Sequence, residues 1–399
     1  MTGTPVHDPA APGPAAADGS GSASPVPVSR RLLAPDLARG VMLLFIALAH
    51  VHIFSLFVGG ENSARDTVAD QVVTAATIML VDFRSYPMFA ALFGYGLAQI
   101  HARRTAQGLP RPRVSALVRR RGAWMVVFGV AHAALLFLGD ILAVYGTIAL
   151  VFAGVLYWRD RSLVTLAVLW LPLPLVASAL EGYSRFTSGA SYLPPAEPGV
   201  LNEMVHRLMV FPFISVLMFA STVVPFVIGV LAARHRLLDE PHRHLRLLRS
   251  AAFAGIPLAV LGGLPMALAK VGVWTDPTDL QALLSVGAHQ VTGYAGGLGY
   301  AALIALFAVR AADRRGPVVT ALSALGQRSL TFYLAQSVVW TVLFASYTLH
   351  LHVSPPEGVG IAVAVWVCSA VAADLMRRRG TRGPAEVALR RLTYSRASR

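Results

Sequence analysis

Long apolar runs recur along this chain, and short polar segments rich in arginine separate them. A run of about 18 residues is long enough, as a helix, to cross a bilayer core of roughly 30 Å. The second run is open to another interpretation, because Arg84 and Pro87 interrupt it and residues 71–84 would then lie along the membrane interface. The pattern predicts about ten crossings, near residues 40–58, 78–100, 122–138, 141–157, 162–180, 208–232, 251–271, 285–309, 329–349 and 359–376.

The runs divide the chain into three parts. Residues 1–29 consist largely of Ala, Gly, Pro and Ser without an apolar run, so we expect a disordered tail. Residues 30–376 are predicted to form an all-α helical bundle, a polytopic integral membrane domain. Residues 377–399 form a basic tail, whose arginines and leucines would also suit a helix lying at the interface.

Arginine is concentrated in alternate loops. Segment 101–121 holds seven arginines, and the loops 233–249 and 310–316 and the tail from Arg377 are also basic. The loops between them are short or acidic. Because basic loops stay in the cytoplasm as a rule, ten crossings predict that both termini and every basic loop are cytoplasmic.

Composition agrees with a membrane protein. The chain is 55% hydrophobic and only 14% charged, against about 25% charged residues in soluble domains. A formal net charge of +14 would be compatible with nucleic-acid binding, but the basic residues lie between the apolar runs. We therefore predict the lipid bilayer as a partner and no nucleic acid. Lys270 is the only lysine of the chain.

The first apolar run carries ionisable residues. In a helix, Asp36 and Arg39 share a face, and His50 follows Arg39 by eleven residues, on the same face and about 16 Å further along the axis. Asp36 and Arg39 either pair and anchor the helix at the interface or contribute to a substrate site. An ionisable group near the bilayer midplane is a functional candidate by default, so His50 is a candidate catalytic residue.

The stretch GVAHAALLFLGDILAVYG, residues 129–146, predicts two helices joined by a tight turn at Asp140. Asp140 either caps the second helix or acts on a substrate as a carboxylate, and His132 in the first helix is a further catalytic candidate. Upstream, the glycines of FAALFGYG, residues 89–96, indicate close helix packing, since no strand precedes them as a nucleotide-binding loop would require.

A polar helix face occurs in ALGQRSLTFYLAQS, residues 324–337. Such a face either bonds to other membrane helices or lines a polar cavity that binds substrate. It comprises Ser329, Tyr333, Gln336 and Ser337, with Arg328 at the cytoplasmic start of the helix. His350 and His352 lie two residues apart without an evident third ligand, so no metal site is predicted.

These motifs, in this order, resemble the YeiB-type family of bacterial polytopic membrane proteins. The resemblance covers nearly the whole chain after residue 30. It implies a multi-pass protein of the bacterial plasma membrane and supplies no reaction. The matching pieces are DLARGVMLLFIAL, FAALFGYG, HAALLFLGDILAVYG, ALGQRSLTFYLAQS and, at residues 383–394, GPAEVALRRLTY.

A second resemblance concerns chemistry. Membrane acyltransferases that modify cell-surface sugars carry an arginine, ten residues and a histidine in their first helix, the spacing of Arg39 and His50. DLARG is also similar to the start of the heparan-glucosaminide acetyltransferase family. The resemblance implies acyl-CoA as a cytoplasmic co-substrate held near Arg39, with no further cofactor identified. His50 would be the general base or acyl carrier, and the acceptor would enter from outside past Asp140.

Two other functions explain the same residues. In a transporter or exporter, the buried histidines and aspartates would form a proton relay and the face from Ser329 to Ser337 would line a path. In a structural partner of a membrane complex, the polar groups would only bond helices together. Acyl transfer predicts one cavity lined by Arg39, His50, His132 and the face from Ser329 to Ser337.

Overall fold

The computed structural model describes residues 33–57, 67–187, 197–312 and 315–394. Throughout these residues the chain is helix and turn without a strand, which confirms the all-α prediction. The tail predicted over residues 1–29 lies outside them.

The described residues form fourteen α-helices. A 3-10 helix, Phe152–Tyr157, extends the fifth, and another, Pro241–His244, precedes the ninth. The α-helices are α1 (Leu33–Phe57), α2 (Val68–Leu80), α3 (Ser85–Ala106), α4 (Arg111–Leu135), α5 (Leu142–Val151), α6 (Asp160–Trp170), α7 (Pro172–Thr187), α8 (Val200–Arg234), α9 (Leu245–Lys270), α10 (Asp279–Ala311), α11 (Pro317–Gly326), α12 (Ser329–Phe344), α13 (Pro355–Arg378) and α14 (Pro384–Tyr394).

Six helical segments of the described chain are long and apolar enough to cross a membrane. Their outward surfaces are also apolar: the side chains of Leu169, Met209 and Phe253 are 73%, 75% and 71% exposed. Such surfaces are unusual in a soluble monomer and suit contact with lipid. The segments are Leu33–Phe54, Asp160–Ala179, Val200–Arg234, Pro241–Lys270, Asp279–Ala311 and Pro355–Arg378.

The count of ten crossings stays a prediction. The second crossing, predicted over residues 78–100, corresponds to a helix that begins later. α2 has 13 residues. It is therefore about 20 Å long, too short for a core of roughly 30 Å. A turn over residues 81–84 separates α2 from α3, which begins at Ser85 and not near residue 78. α3 and α4 are less apolar overall because each contains arginines within the helix.

The predicted close packing holds for Gly94 of FAALFGYG, whereas a Cβ on Gly96 would meet only the Arg39 side chain, at 3.4 Å. A Cβ atom on Gly94 of α3 would collide with the backbone carbonyl of Phe226 on α8. On the facing helix, a Cβ on Gly229 would collide with the carbonyl of Ala91. The two backbones can approach this closely only because neither position carries a side chain.

Two of the sequence motifs, DLARG and ALGQRS, meet where α1 packs against α11. A Cβ on Gly40 would strike the carbonyl of Leu322, and one on Gly326 would strike the carbonyl of Asp36. Trp366 of α13 completes the contact, since its indole N–H donates to the Gly40 carbonyl at 2.9 Å. DLARG and ALGQRS are therefore packing partners in space.

The C-terminal helix packs on the bundle. The Glu386 carboxylate on α14 accepts hydrogen bonds from the backbone N–H groups of Leu330 and Thr331, at 2.8 and 3.2 Å. These N–H groups lie in the first turn of α12, where a helix offers no backbone acceptor for them. The negative charge of the carboxylate also interacts favourably with the positive end of the helix dipole. Arg328 ties the same end to the chain before α14 by donating to the Thr381 carbonyl at 2.6 Å.

Candidate functional site

A buried histidine–carboxylate pair lies at the turn between α4 and α5. His132 Nδ1 is 2.8 Å from one oxygen of Asp140, and the other oxygen accepts the backbone N–H of Ala143 at 2.7 Å. A Cβ on Gly129 would collide with both Asp140 and Ala143, so glycine is what allows this approach. The capping role predicted for Asp140 is confirmed, and its contact with His132 orients that imidazole.

Aromatic rings connect this pair to His50. The Tyr333 ring on α12 lies 5.0 Å from the His132 ring and 6.0 Å from the His50 ring, measured between centroids. Phe137, in the turn after α4, lies 4.3 Å from His50. The Tyr333 hydroxyl is 3.5 Å from the Asp140 carboxylate. Residues predicted from three separate motifs thus come together at one place.

His50 opens onto a cavity of about 270 Å³. Tyr333 and Phe137 line the same wall as His50, while Asp82, Tyr86 and Lys270 contribute polar groups elsewhere in the lining. The rest of the lining is largely apolar. A mostly apolar pocket with a few converging polar groups is typical of small-molecule sites, and this volume is near their lower limit of about 300 Å³.

Other predicted site residues lie away from this cavity. Arg39 and Asp36 form an ion pair at 3.6 Å in the opposite part of α1, about 16 Å and about 21 Å from His50 along the axis. His132 lies behind Tyr333 and does not line the cavity either. The expectation that Arg39, His50 and His132 share one cavity lining is therefore wrong for Arg39 and His132. Sharing a helix face does not bring two residues three turns apart to one pocket.

The residues of the predicted polar face of α12 do not all lie at the cavity either. Ser329 is the first residue of α12 and is half-buried, and Arg328 donates to the carbonyls of Ala324 and Thr381 beside it. Further along, Ser337 donates back to the Tyr333 carbonyl at 3.3 Å. Only Tyr333 of this face lines the cavity.

Several buried polar atoms on α1, α4 and α12 have no hydrogen-bond partner among the described residues. Such atoms are rare in folded proteins, because burying a polar group without a partner is costly. They are His50 Nδ1, His132 Nε2, both side-chain polar atoms of Gln336, and Trp340 Nε1.

A second buried cluster, around Arg84 and His289, was not predicted from the sequence. Arg84 is 1% exposed, donates to the carbonyls of Asp82 and Ala259, and lies 3.0 Å from His289 Nδ1. It holds the turn in which Phe83 adopts a left-handed φ of 59°. The available signal was the charge of Arg84 inside an apolar run, which marks a candidate functional residue as well as an interruption of the run.

Metal binding finds no support in the described ranges, since they contain no group of three or more His, Cys, Asp or Glu side chains able to hold an ion.

Comparisons with known proteins agree with the motifs. Residues 232–396 match the family described as "Protein of unknown function (DUF418)". The chain is 27% identical to the uncharacterized protein YxaH of Bacillus subtilis (strain 168) over 411 aligned positions, covering 94% of this chain and 96% of the relative. It is 26% identical to the uncharacterized protein YeiB of Escherichia coli (strain K12) over 392 positions, covering 90% and 95%. The resemblance to the YeiB-type family is thus confirmed, and neither relative's name states an activity.

Proposed function

We propose that this chain, a YeiB-type membrane protein, transfers an acyl group from cytoplasmic acyl-CoA to an acceptor on the outer side of the bacterial plasma membrane. The observation that supports this best is the position of His50. Its imidazole is buried, borders the cavity, and has a nitrogen without a partner among the described residues. A neutral imidazole so placed is suited to act as a general base.

The reaction needs one proton acceptor and one carbonyl group. As the acceptor's hydroxyl or amine attacks the thioester carbonyl carbon, its proton passes to the His50 imidazole. The carbon–sulfur bond then breaks, and the CoA thiolate leaves with the proton returned by the imidazolium. His132, oriented by Asp140 at 2.8 Å, stands behind Tyr333 as a positioning residue for this wall of the cavity.

Arginines at the other end of α1 suit the phosphates of the donor. Arg39 and Arg121 are close enough to repel each other electrostatically, and Arg121 Nε has no partner in the described part of the chain. Guanidinium groups bind phosphate oxygens through strong charge-assisted hydrogen bonds. An acyl-CoA held there must extend about 16 Å along α1 to bring its thioester to His50. Together with the ten crossings that the arginine pattern predicts, this orientation keeps both termini in the cytoplasm.

Donor binding is tested by thermal unfolding of the purified protein with millimolar acetyl-CoA. We expect the ligand to raise the Tm of the wild type and of His50→Ala but not that of Arg39→Ala. No stabilisation of folded wild type would contradict acyl transfer.

Catalysis is tested by release of the CoA thiol, measured with a thiol reagent in the presence of simple sugars or amines as acceptors. His50→Ala should lose release while still binding acetyl-CoA. The exposed His352 on the loop before α13 provides a matched control, and His352→Ala should keep wild-type release. Equal rates in His50→Ala and wild type would exclude His50 as the base.

A transporter is the second candidate, and one observation favours it. The continuous helices α8 and α9 contain internal prolines, Pro212 and Pro225 in α8 and Pro257 and Pro265 in α9. An internal proline removes a backbone hydrogen bond of the helix, and such weakened helices are common at transporter substrate sites.

The buried Arg84–His289 contact would then belong to a proton path. Purified protein in proteoliposomes tests this under an imposed pH gradient. Acidification of the interior by the wild type but not by His289→Ala, together with no thiol release from acetyl-CoA, would favour transport.

A further inference from the structure

One acidic and one basic side chain line the same cavity as His50. Asp82 follows α2, Lys270 ends α9, and both residues are half-buried. Among the described residues, no other Asp, Glu, Lys or Arg lines this cavity. Charged groups in a mostly apolar cavity of a membrane domain are costly to place there. They therefore mark a candidate site for a ligand that carries charges itself.

The fold holds the Asp82 backbone in a fixed position. The Asp82 N–H donates to the Thr77 carbonyl at 3.1 Å, and the Asp82 carbonyl accepts a hydrogen bond from the Arg84 guanidinium. Arg84 also donates to the Ala259 carbonyl on α9. A Cβ on Gly263 would come within 2.9 Å of that guanidinium, so glycine provides its space. Asp82 thus belongs to a preorganised wall, as recognition of a charged group requires.

Lysine is rare in this chain. Lys270 is the only lysine among 34 basic residues, and the others are arginines. Arg234 and Arg378 hold the same last position of α8 and α13, so a charge at a helix end does not by itself explain a lysine. Lysine presents a compact charge on a flexible stem, whereas arginine presents a planar fork. A compact charge suits a phosphate group in a cavity of about 270 Å³.

We propose that this cavity binds a small zwitterion, with its ammonium group at Asp82 and its phosphate group at Lys270. The proposal names the class of acceptor that the proposed function leaves open, and the acceptor's reaction rests on that function. A zwitterion can bind both charged groups at once, whereas a ligand with one charge can bind only one of them. The rest of the ligand contacts the apolar lining and extends toward His50 in the same cavity. Phosphoethanolamine compounds have this chemistry, whether soluble or as phospholipid headgroups.

Binding is tested by thermal unfolding of the purified wild type with glycerophosphoethanolamine. Ethanolamine carries only the ammonium group, and glycerophosphoglycerol carries only the phosphodiester. We expect the zwitterion to bind at least about tenfold more tightly than either single-charge probe, because each contact with a charged group adds to the affinity. No binding of the zwitterion, or equal binding of all three probes, would overturn the proposal. This comparison needs no variant, so it decides the proposal even where a variant fails to fold.

Two variants assign the charges. Asp82→Asn should bind the zwitterion about tenfold more weakly and keep its affinity for glycerophosphoglycerol, while Lys270→Gln should show the same loss and keep its affinity for ethanolamine. The exposed Asp276, in the loop after α9, provides the matched control, and Asp276→Asn should bind all probes like wild type. Two charges that only balance each other would lower the Tm of both variants without changing the preference among probes. That result would overturn the proposal.

Nanodiscs identify the source of the zwitterion. In nanodiscs of phosphatidylglycerol, soluble glycerophosphoethanolamine should raise the Tm of the wild type. Both results in nanodiscs of phosphatidylethanolamine support the proposal: loss of that shift means that the lipid headgroup fills the site, and a persistent shift means a soluble ligand.

Thiol release separates this proposal from the proposed function. Release from acetyl-CoA should be about tenfold faster with glycerophosphoethanolamine than with ethanolamine at the same concentration. Zwitterion binding without any release, by folded protein that acetyl-CoA does not stabilise, would overturn acyl transfer and leave the zwitterion site standing. Equal release with both acceptors, without preferential binding of the zwitterion, would overturn this proposal and leave acyl transfer standing.

Discussion

The carboxylate of Asp140 shows how a single residue can serve the fold and orient a second residue at once. Both of its oxygens are engaged, one by the Ala143 N–H and one by His132, and the residue is 1% exposed. A carboxylate that is almost fully buried and does not line the cavity is out of reach of a substrate there. Its contribution to any reaction passes through the orientation that it gives to His132.

We expect Asp140→Asn to destabilise the protein by about 1–3 kcal/mol, because the amide removes the charge that strengthens both hydrogen bonds. Thermal unfolding in detergent measures the change. The exposed Asp276, in the loop after α9, serves as a comparison, and Asp276→Asn should unfold like wild type. Unchanged unfolding of Asp140→Asn would show that the pair contributes nothing to stability.

The helices of this protein approach one another through glycine contacts. Where α1 meets α11, the backbone of one helix lies in the space that a side chain of the other would need. Close approach of this kind provides extensive van der Waals contact where lipid competes for every apolar surface. The motif residues at such contacts are therefore explained by packing, and their recurrence in a motif does not require a catalytic role.

Gly326→Ala should lower the Tm markedly, because its methyl group would strike the Asp36 carbonyl and force α1 and α11 apart. Gly360→Ala on α13 is the matched control, since nothing lies within 4 Å of the added atom. Removing a helical glycine there should be neutral or stabilising by up to about 1 kcal/mol. Similar melting curves for the two variants would disprove the close contact.

The sequence predicts features that depend on spacing within one helix, and it fails for those that depend on pairing between helices. Asp140 was predictable as a cap because cap and helix are adjacent in the chain. The 205-residue separation of Arg84 and His289 carries no such local signal. Nor does the 193-residue separation of Asp140 and Tyr333. The distance of about 16 Å between Arg39 and His50 was predictable from their spacing. That Arg39 does not line the cavity was not, because the lining depends on how several helices pack together.

At the scale of the whole molecule, the mostly apolar cavity with its few polar groups is lined by elements from both halves of the chain. His50 and the Asp82 turn come from the first half, and Lys270 and Tyr333 from the second. The outward surfaces of the long helices are apolar. The polar groups are thus kept away from lipid, where an exposed charge would be costly, and are gathered where a ligand could meet them.

The orientation can be tested through Lys270, since it is the only lysine. The proposed topology places the end of α9 outside the cytoplasm, so a membrane-impermeant amine reagent should label Lys270 in spheroplasts before lysis. Mass spectrometry identifies the site, and Lys270→Arg should remove the label. Labelling that appears only after lysis would indicate the opposite orientation.

The contacts of α1 have a consequence for dividing the gene. The loop between α8 and α9 is a natural point to cut it into two reading frames. The first product would hold α1, with Gly40 and His50, and the second would hold α11 and α12, with Gly326 and Tyr333. Because each piece supplies one side of the same helix contact, we expect neither to accumulate alone in the membrane and the two to assemble when they are expressed together.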